Sequence, residues 1–270
     1  MVRFSGSSAI TKPSDPSDLD PLGRFSDRVE DYARYRPGYP AALIRFLGAK
    51  TRLAEASVVA DVGSGTGIFT RLLLGTGAKV YAVEPNDAMR SAAEAEFRGR
   101  ADFVSMKGTA EATGLEDRSV ALITCAQAFH WFDAARARQE FRRILIRDGW
   151  CALIWNTSIV GPGGFAAGYD SIKEEFRTDV QLVRHEDIEQ TGRLDAFFGA
   201  GRWSKKCFPN CQTLEFTGLK GRLLSSSYAP KEEHPRHEAM MAALKELFDR
   251  CQKGGVIRMD YRTELFLGRL

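Results

Sequence analysis

Two spacings of apolar residues divide this chain. Val58–Val62, Lys79–Val83 and the runs at 102–106, 119–126 and 151–155 are short, apolar and partly β-branched, as strands covered on both faces require. Between them the apolar positions fall at helical spacing. Leu43, Ile44, Leu47 and Leu53 mark a helix over 41–54, and the run from Ile68 to Leu74 marks a second. Met89, Ala92, Ala93 and Phe97 share one face of a third, which starts after Pro85-Asn86-Asp87. A fourth helix is capped by Asp133 and runs through Ile146, with Ala134, Ala137, Phe141, Ile144 and Leu145 on its apolar side. Strands that alternate with helices in this way predict an α/β fold built on a parallel sheet. Toward the end, Leu214 and Phe216 suggest a further strand, and Met240, Met241, Leu244, Leu247 and Phe248 a last helix. Then Ile257, Met259, Tyr261, Leu265 and Leu267 alternate with Arg258, Asp260, Arg262 and Glu264, which predicts a closing strand with one wet face.

The chemistry starts where the first strand ends. Asp61-Val62-Gly63-Ser64-Gly65-Thr66-Gly67 runs directly into the second helix. Glycines there accept positive φ and let a ligand approach the backbone, while the free N–H groups of the helix start face it. The spacing is Gly-x-Gly-x-Gly behind an acid, whereas the dinucleotide fingerprint is Gly-x-Gly-x-x-Gly without one. A carboxylate at Asp61 repels phosphate and suits an ammonium or a sulfonium, which favours S-adenosylmethionine over NAD. Glu84, at the end of the second strand, is placed to accept both hydroxyls of a ribose.

Four pieces in order make the chain resemble a known family: Asp-Val-Gly-Ser-Gly-Thr-Gly (61–67), Val-Glu-Pro-Asn (83–86), Gly-Thr-Ala-Glu (108–111) and Ala-Phe-His-Trp-Phe (128–132). They are those of class I S-adenosylmethionine-dependent methyltransferases, in the type 11 group that acts on small molecules, and the resemblance runs from about residue 25 to 155. It implies a doubly wound, Rossmann-like sheet of seven mostly parallel strands with an antiparallel last strand, and a helical lid at about 157–207 over the substrate. It implies S-adenosyl-L-methionine as cofactor, held by Asp61, Gly63, Ser64, Gly65, Gly67, Glu84, Pro85 and Gln127. Met89 would touch the adenine, although core packing explains that residue equally well. The adenine edge would be read by the backbone N–H of Ala110 and by its predecessor. Relatives often carry an aspartate at that preceding position where this chain has Thr109, which weakens the contact, and Glu111 beside it reads either as cofactor ligand or as helix-cap acid. Relatives also have an acid where Ala121 stands. The segment before the core would fold over the cofactor, bringing Tyr32 as a cation–π partner and Arg36 as a bidentate carboxylate ligand, on cofactor or substrate. An ordinary surface helix with aromatic anchors is the alternative for that segment. In an open parallel sheet the ligand crevice lies at the carboxyl ends of the strands, so His130 is the candidate general base, with a backbone-bonded structural histidine as the other reading. Trp131 and Trp155 are expected as walls of the acceptor site, Trp155 at its rim.

Composition narrows the partners. At 270 residues and 44% hydrophobic, the chain can bury one sizeable core, read as a flexible arm at 1–24 followed by a single domain at 25–270. A net charge of +3 and no basic, aromatic-interleaved patch speak against nucleic acid. The first twenty or so residues, rich in Ser, Pro and Asp, contain no apolar run long enough for a signal peptide or a membrane span. Five cysteines, an odd number with two in core strands, read as reduced thiols in a cytoplasmic protein. No metal is expected, because Cys207 and Cys211 lack a second pair at ligand spacing. The expectation is therefore a methyltransferase for a small molecule, with carboxylates among the acceptors the arginines near residue 36 allow, acting as a monomer or homodimer. The alternatives are a catalytically silent S-adenosylmethionine-binding regulator and a methyltransferase for RNA or protein.

Overall fold

The computed structural model describes residues 28–55, 57–178 and 191–270. The arm expected at 1–24 and part of the expected lid lie outside them. The first strand, β1 (Val58–Val62), pairs in parallel with β2 (Lys79–Val83) on one side and β4 (Val120–Ala126) on the other. β3 (Phe103–Met106) extends the sheet beyond β2, and β5 (Leu145–Ser158) extends it beyond β4, both in parallel. β7 (Ile257–Gly268) then lies antiparallel between β5 and β6 (Trp203–Leu214), giving the seven-stranded order β3-β2-β1-β4-β5-β7-β6. Chain order reverses at β1 and β4, the point where an open α/β sheet forms its crevice.

Helices cover both faces because the central strands are apolar on both. On one face α2 (Ala41–Thr51), α3 (Ile68–Leu74) and α4 (Asp87–Glu96) bury Leu43, Leu47, Phe69, Leu73 and Ala93 against Val59, Val80, Leu122 and Ile154. On the other, α5 (Ala134–Ile144) and α7 (Arg193–Phe198) bury Phe141, Ile144, Phe197 and Phe198 against Ala60, Val62, Ile123 and Leu153. Asn86 and Asp133 cap α4 and α5 as expected, each accepting from backbone N–H groups of its helix. A third apolar cluster gathers α6 (Gly164–Phe176), α8 (Phe216–Leu224) and α9 (His237–Cys251) around the start of β7. Among the described residues no helix is long and apolar enough to cross a membrane.

Several boundaries differ from the sequence expectation. α5 ends at Ile144, because Leu145 is extended and already pairs with Val120. β6 is a full edge strand, and Phe216 begins α8 instead of belonging to it. β7 alternates only as far as Arg262. Beyond that point it is covered on both faces, so Glu264 is buried, accepting from Thr157 Oγ1 at 2.7 Å and pairing with Lys205 at 2.9 Å. The expected lid splits. α6 packs on α9, closely enough that a Cβ on Gly168 would lie 2.6 Å from Leu247 Cδ1. The Phe197-Phe198 segment belongs to the main core, with the Phe197 ring centroid 4.6 Å from that of Phe129.

The segment before the core is the short helix α1 (Val29–Tyr35), which crosses α8. Arg28 donates to the carbonyls of Leu224, Ser226 and Ala229, closing the carboxyl end of α8. Tyr35 lies on Gly221, where an added Cβ would sit 2.1 Å from the ring. Gly221→Ala should therefore lever α1 off α8. Overpacking of about 1–3 kcal/mol predicts a melting temperature lower by about 3–10 °C in a thermal scan.

Candidate active site

The loop after β1 is held by the end of β2: Gly63 and Ser64 both donate to Val83 O, at 2.9 and 3.2 Å. Gly63, Gly65 and Gly67 all have positive φ (69°, 56° and 86°). Two of them are also required by packing. A Cβ on Gly63 would lie 2.5 Å from Ala128 Cβ, and one on Gly67 2.5 Å from Phe97 Cε2. Met89 is buried beneath the loop, its sulfur 3.6 Å from where a Gly65 Cβ would be.

Asp61 lies under this loop at 1% exposure. Thr70 Oγ1 donates to its Oδ2 at 2.6 Å and Thr124 Oγ1 to its Oδ1 at 2.7 Å, tying β1 to α3 and β4. Burial pushes its pKa up to about 6 against the pull of those hydroxyls, and no lysine or arginine of the described residues contributes to holding its charge. Each oxygen keeps a second acceptor site. Glu84, also buried, accepts from Gly65 N at 2.8 Å through Oε2 and from Asn86 N at 2.9 Å through Oε1. Burial raises its pKa as well, against the two backbone donors. Pro85 lies in the short turn between Glu84 and the α4 cap.

The remaining corners come from β3 and β4. Thr109 and Ala112 exchange backbone hydrogen bonds of 3.1 and 3.3 Å around buried Ala110. Glu111 accepts from Asp133 N at 2.9 Å, so its carboxylate anchors the start of α5. Gln127 leaves β4 at φ 58°, a conformation that costs a non-glycine residue about 1–2 kcal/mol. It is fixed by N–H donation to Ile154 O (2.8 Å) and by its side-chain amide to Asn156 O (3.3 Å). Phe129–Trp131 form one 3-10 turn that carries His130. Trp155, expected at the rim, is buried in the core between Phe129 and Phe266. Only its indole N–H reaches the site, donating to His130 Nδ1 at 3.5 Å. The Trp131 ring centroid lies 5.0 Å from that of His130.

Over the carboxyl ends of the strands runs the segment that follows α1. Gly38 O accepts from Asn156 Nδ2 (3.0 Å) and Asn210 Nδ2 (2.8 Å), and Tyr35 O from Gln212 Nε2 (2.9 Å). Tyr39 packs edge-on against Phe69 of α3, and burial, then the charges of Tyr32 and Asp61, raise its pKa while Arg36 lowers it. The segment with Tyr32, Arg36 and Tyr39 is thereby brought to Asp61. Thr70, Thr124, Asn156, Asn210 and Gln212 escaped the sequence reading, because each is an isolated polar residue within an otherwise structural run.

Two observations test the fit of S-adenosylmethionine. Ser64 Oγ and Thr66 Oγ1, both on the glycine loop, are buried without a hydrogen-bond partner, although buried hydroxyls almost always have one. Asp61 is a buried acid whose charge no cation of the described residues offsets. Orphaned hydroxyls around an uncompensated anion suit a polar, cationic ligand and do not suit a pyrophosphate. Glu84→Ala should weaken cofactor binding by about tenfold or more in a calorimetric titration. Unchanged affinity would remove Glu84 from the site.

Known proteins resemble this chain in sequence and fold. Residues 60–153 match the family model described as a methyltransferase domain. A methyltransferase-like protein of Schizosaccharomyces pombe is 29% identical over 250 residues, covering 91% of this chain and 94% of its own length. A Mycobacterium tuberculosis methyltransferase is 40% identical over 133 residues, which are 49% of this chain and 52% of that protein, about half its length. The solved structure of a candidate type II methyltransferase from Anaeromyxobacter dehalogenans superposes with a TM-score of 0.66 at 22% identity, over 87% of this chain and 98% of that one. The matched domain, these relatives and the shared fold support a class I S-adenosylmethionine-dependent methyltransferase.

Proposed function

We propose that the chain transfers a methyl group from S-adenosylmethionine to a small-molecule acceptor bound beside His130, and that the acceptor carries a carboxylate. The observation that carries the cofactor assignment is the uncompensated charge of buried Asp61 beneath the glycine loop. In this reading Asp61 faces the cationic amino-acid end of the cofactor, Glu84 takes the ribose, Ser64 and Thr66 supply hydroxyls, and Met89 with the loop at Thr109 and Ala110 receives the adenine. When bound, the cofactor supplies an activated methyl group whose sulfur leaves as a neutral thioether. The work left to the chain is alignment and exclusion of water.

His130 enters this reading in an altered role. The Trp155 indole N–H lies 3.5 Å from Nδ1, and in this reading it donates there and leaves the ring's proton on Nε2. That imidazole offers an N–H to an acceptor oxygen instead of a lone pair to its proton. Base catalysis through Nε2 would require the indole bond to break, and a carboxylate nucleophile, already ionised near neutral pH, needs no base. Tyr32 and Arg36 close the site from the segment over the strand ends. The test is incubation with S-adenosylmethionine carrying a labelled methyl group and a panel of small organic acids. Transfer to one of them supports the reading. Transfer only to RNA or protein, or to nothing, contradicts it.

A further inference from the structure

Two arginines meet beneath α1. Arg36 follows α1, its guanidinium 4.7 Å from the centroid of the Tyr32 ring and one terminal nitrogen donating to Ser225 O at 2.7 Å. Its Nε is buried without a hydrogen-bond partner. So is the Nε of Arg222, which α8 brings to the same place. Burial lowers the pKa of Arg36, and the next largest cause is the like charge of Arg222, so the two groups lie within range to repel. Around Arg222 stand the phenols of Tyr261, Tyr169 and Tyr228, of which Tyr261 is hydrogen-bonded to it, and against the effect of burial their influence raises its pKa. Tyr169, on α6, is 4% exposed, and its hydroxyl is the third buried donor here without a partner. Burial pushes the pKa of the Tyr169 phenol further up, so it provides no counter-charge. Among the described residues no aspartate or glutamate is one of the largest influences on either arginine.

Burying two cations together is costly unless an anion completes the site. Three unsatisfied donors converge here, and a carboxylate offers about four acceptor positions in a plane that matches the guanidinium fork. The position distinguishes this place from the cofactor cradle. The glycine loop and Glu84 belong to β1 and β2, whereas Arg222, Tyr169 and Tyr228 come from α6, α8 and the loop after α8. Tyr39, which feels both Asp61 and Arg36, stands between the two. We propose that Arg36, Arg222 and Tyr169 form a recognition site for a carboxylate of the acceptor. This rests on the methyl-transfer reading and adds to it. A carboxylate clamped by two guanidinium groups is a poor nucleophile, so the acceptor carries an anionic group in addition to the atom that is methylated.

The test needs no turnover. The full chain saturated with S-adenosylhomocysteine is titrated calorimetrically with mono-, di- and tricarboxylates of small size, succinate and citrate among them, and with dimethyl succinate as the neutral control. The expected result is binding of at least one acid and none of the ester, weakened at least about tenfold in Arg222→Gln and less in Tyr169→Phe, with S-adenosylhomocysteine affinity unchanged in both. Tyr169→Phe removes one oxygen and keeps the ring, so it remains informative if the arginine variant does not fold. Failure of every acid to bind, or equal binding by the variants, overturns the proposal. Loss of S-adenosylhomocysteine affinity in step with the acid would assign the pair to the cofactor's own carboxylate and equally overturn it. A chain that binds acids through Arg222 yet methylates nothing would sink the proposed function alone, so the two claims fail separately.

Discussion

Gly63→Ala should abolish useful cofactor binding, lowering the affinity for S-adenosylhomocysteine by about 100-fold, the scale expected when a binding loop moves by about 1 Å. Two costs add at this position. The backbone sits at φ 69°, where an alanine is strained by about 1–2 kcal/mol. The new methyl would also lie 2.5 Å from Ala128 Cβ and 3.4 Å from the Phe132 ring, an overlap worth about 1–3 kcal/mol. Neither neighbour can swing aside: Phe132 is buried against Phe129 and Phe141, and Ala128 is the residue that leads into the turn carrying His130. The loop must yield, and it takes with it Ser64, Thr66 and the Gly65 N–H that orients Glu84. Gly99→Ala is the control. It has φ 81° and nothing within 4 Å of the added methyl, so it should cost only the backbone strain and leave cofactor affinity intact. Equal affinity in Gly63→Ala and the unaltered chain would mean that the loop does not hold the ligand.

The second large effect is a pair of opposed pH dependences governed by Asp61. Its carboxyl has a pKa of about 6 in the fold, against about 3.9 in an unfolded chain. A raised pKa means that the folded state holds the proton more tightly. The associated stability, roughly 3 kcal/mol, is therefore fully present below about pH 4 and is lost as pH rises through about 6. The ligand-free protein should become less stable across that window. Cofactor affinity should move the other way, because a cationic ligand prefers the ionised carboxylate, strengthening by up to about tenfold per pH unit until Asp61 is fully ionised. Asp61→Asn separates the two. The threonine hydroxyls can rotate to serve an amide, so the variant should be at least as stable as the parent at neutral pH, yet bind S-adenosylmethionine weakly and with a flattened pH profile. Subtracting the variant's profile also removes whatever Glu84 contributes in acid. Affinity independent of pH in the parent, or identical profiles in both proteins, would dissociate Asp61 from the ligand.

What the sequence could say depended on how local each feature is. The strands β1 to β5 and the helices between them were legible because both faces of the sheet are buried, and a chain with no wet face writes its strands as apolar runs. β6 was largely missed for the opposite reason. As an edge strand it carries Ser204, Lys205, Lys206 and Pro209 along its exposed length, residues that protect an edge and erase the alternation. Glu264 was placed on a wet face by its neighbours in sequence, whereas β6 and β5 flank it in space and Lys205 meets its charge. The glycine loop announced itself by spacing alone. Its support did not, since Thr70 and Thr124 become partners of Asp61 only when α3 and β4 pack beside β1. The pairing of Arg36 with Arg222 brings together the beginning and the far part of the chain, and no motif surrounds either arginine in a way that foretells the other. Trp155 shows the limit of reasoning from strand ends: it does end the apolar run of β5, but two aromatic neighbours from elsewhere in the chain draw it into the core.

The central claim is that the cradle formed by Asp61, the glycine loop and Glu84 is built for an adenosyl compound with a cationic amino-acid end. Parallel calorimetric titration of the purified chain with S-adenosylmethionine, S-adenosylhomocysteine and NAD tests it most directly. The account predicts micromolar binding of the two adenosyl compounds and no heat from NAD. Binding of NAD, or silence from both adenosyl compounds, would contradict it.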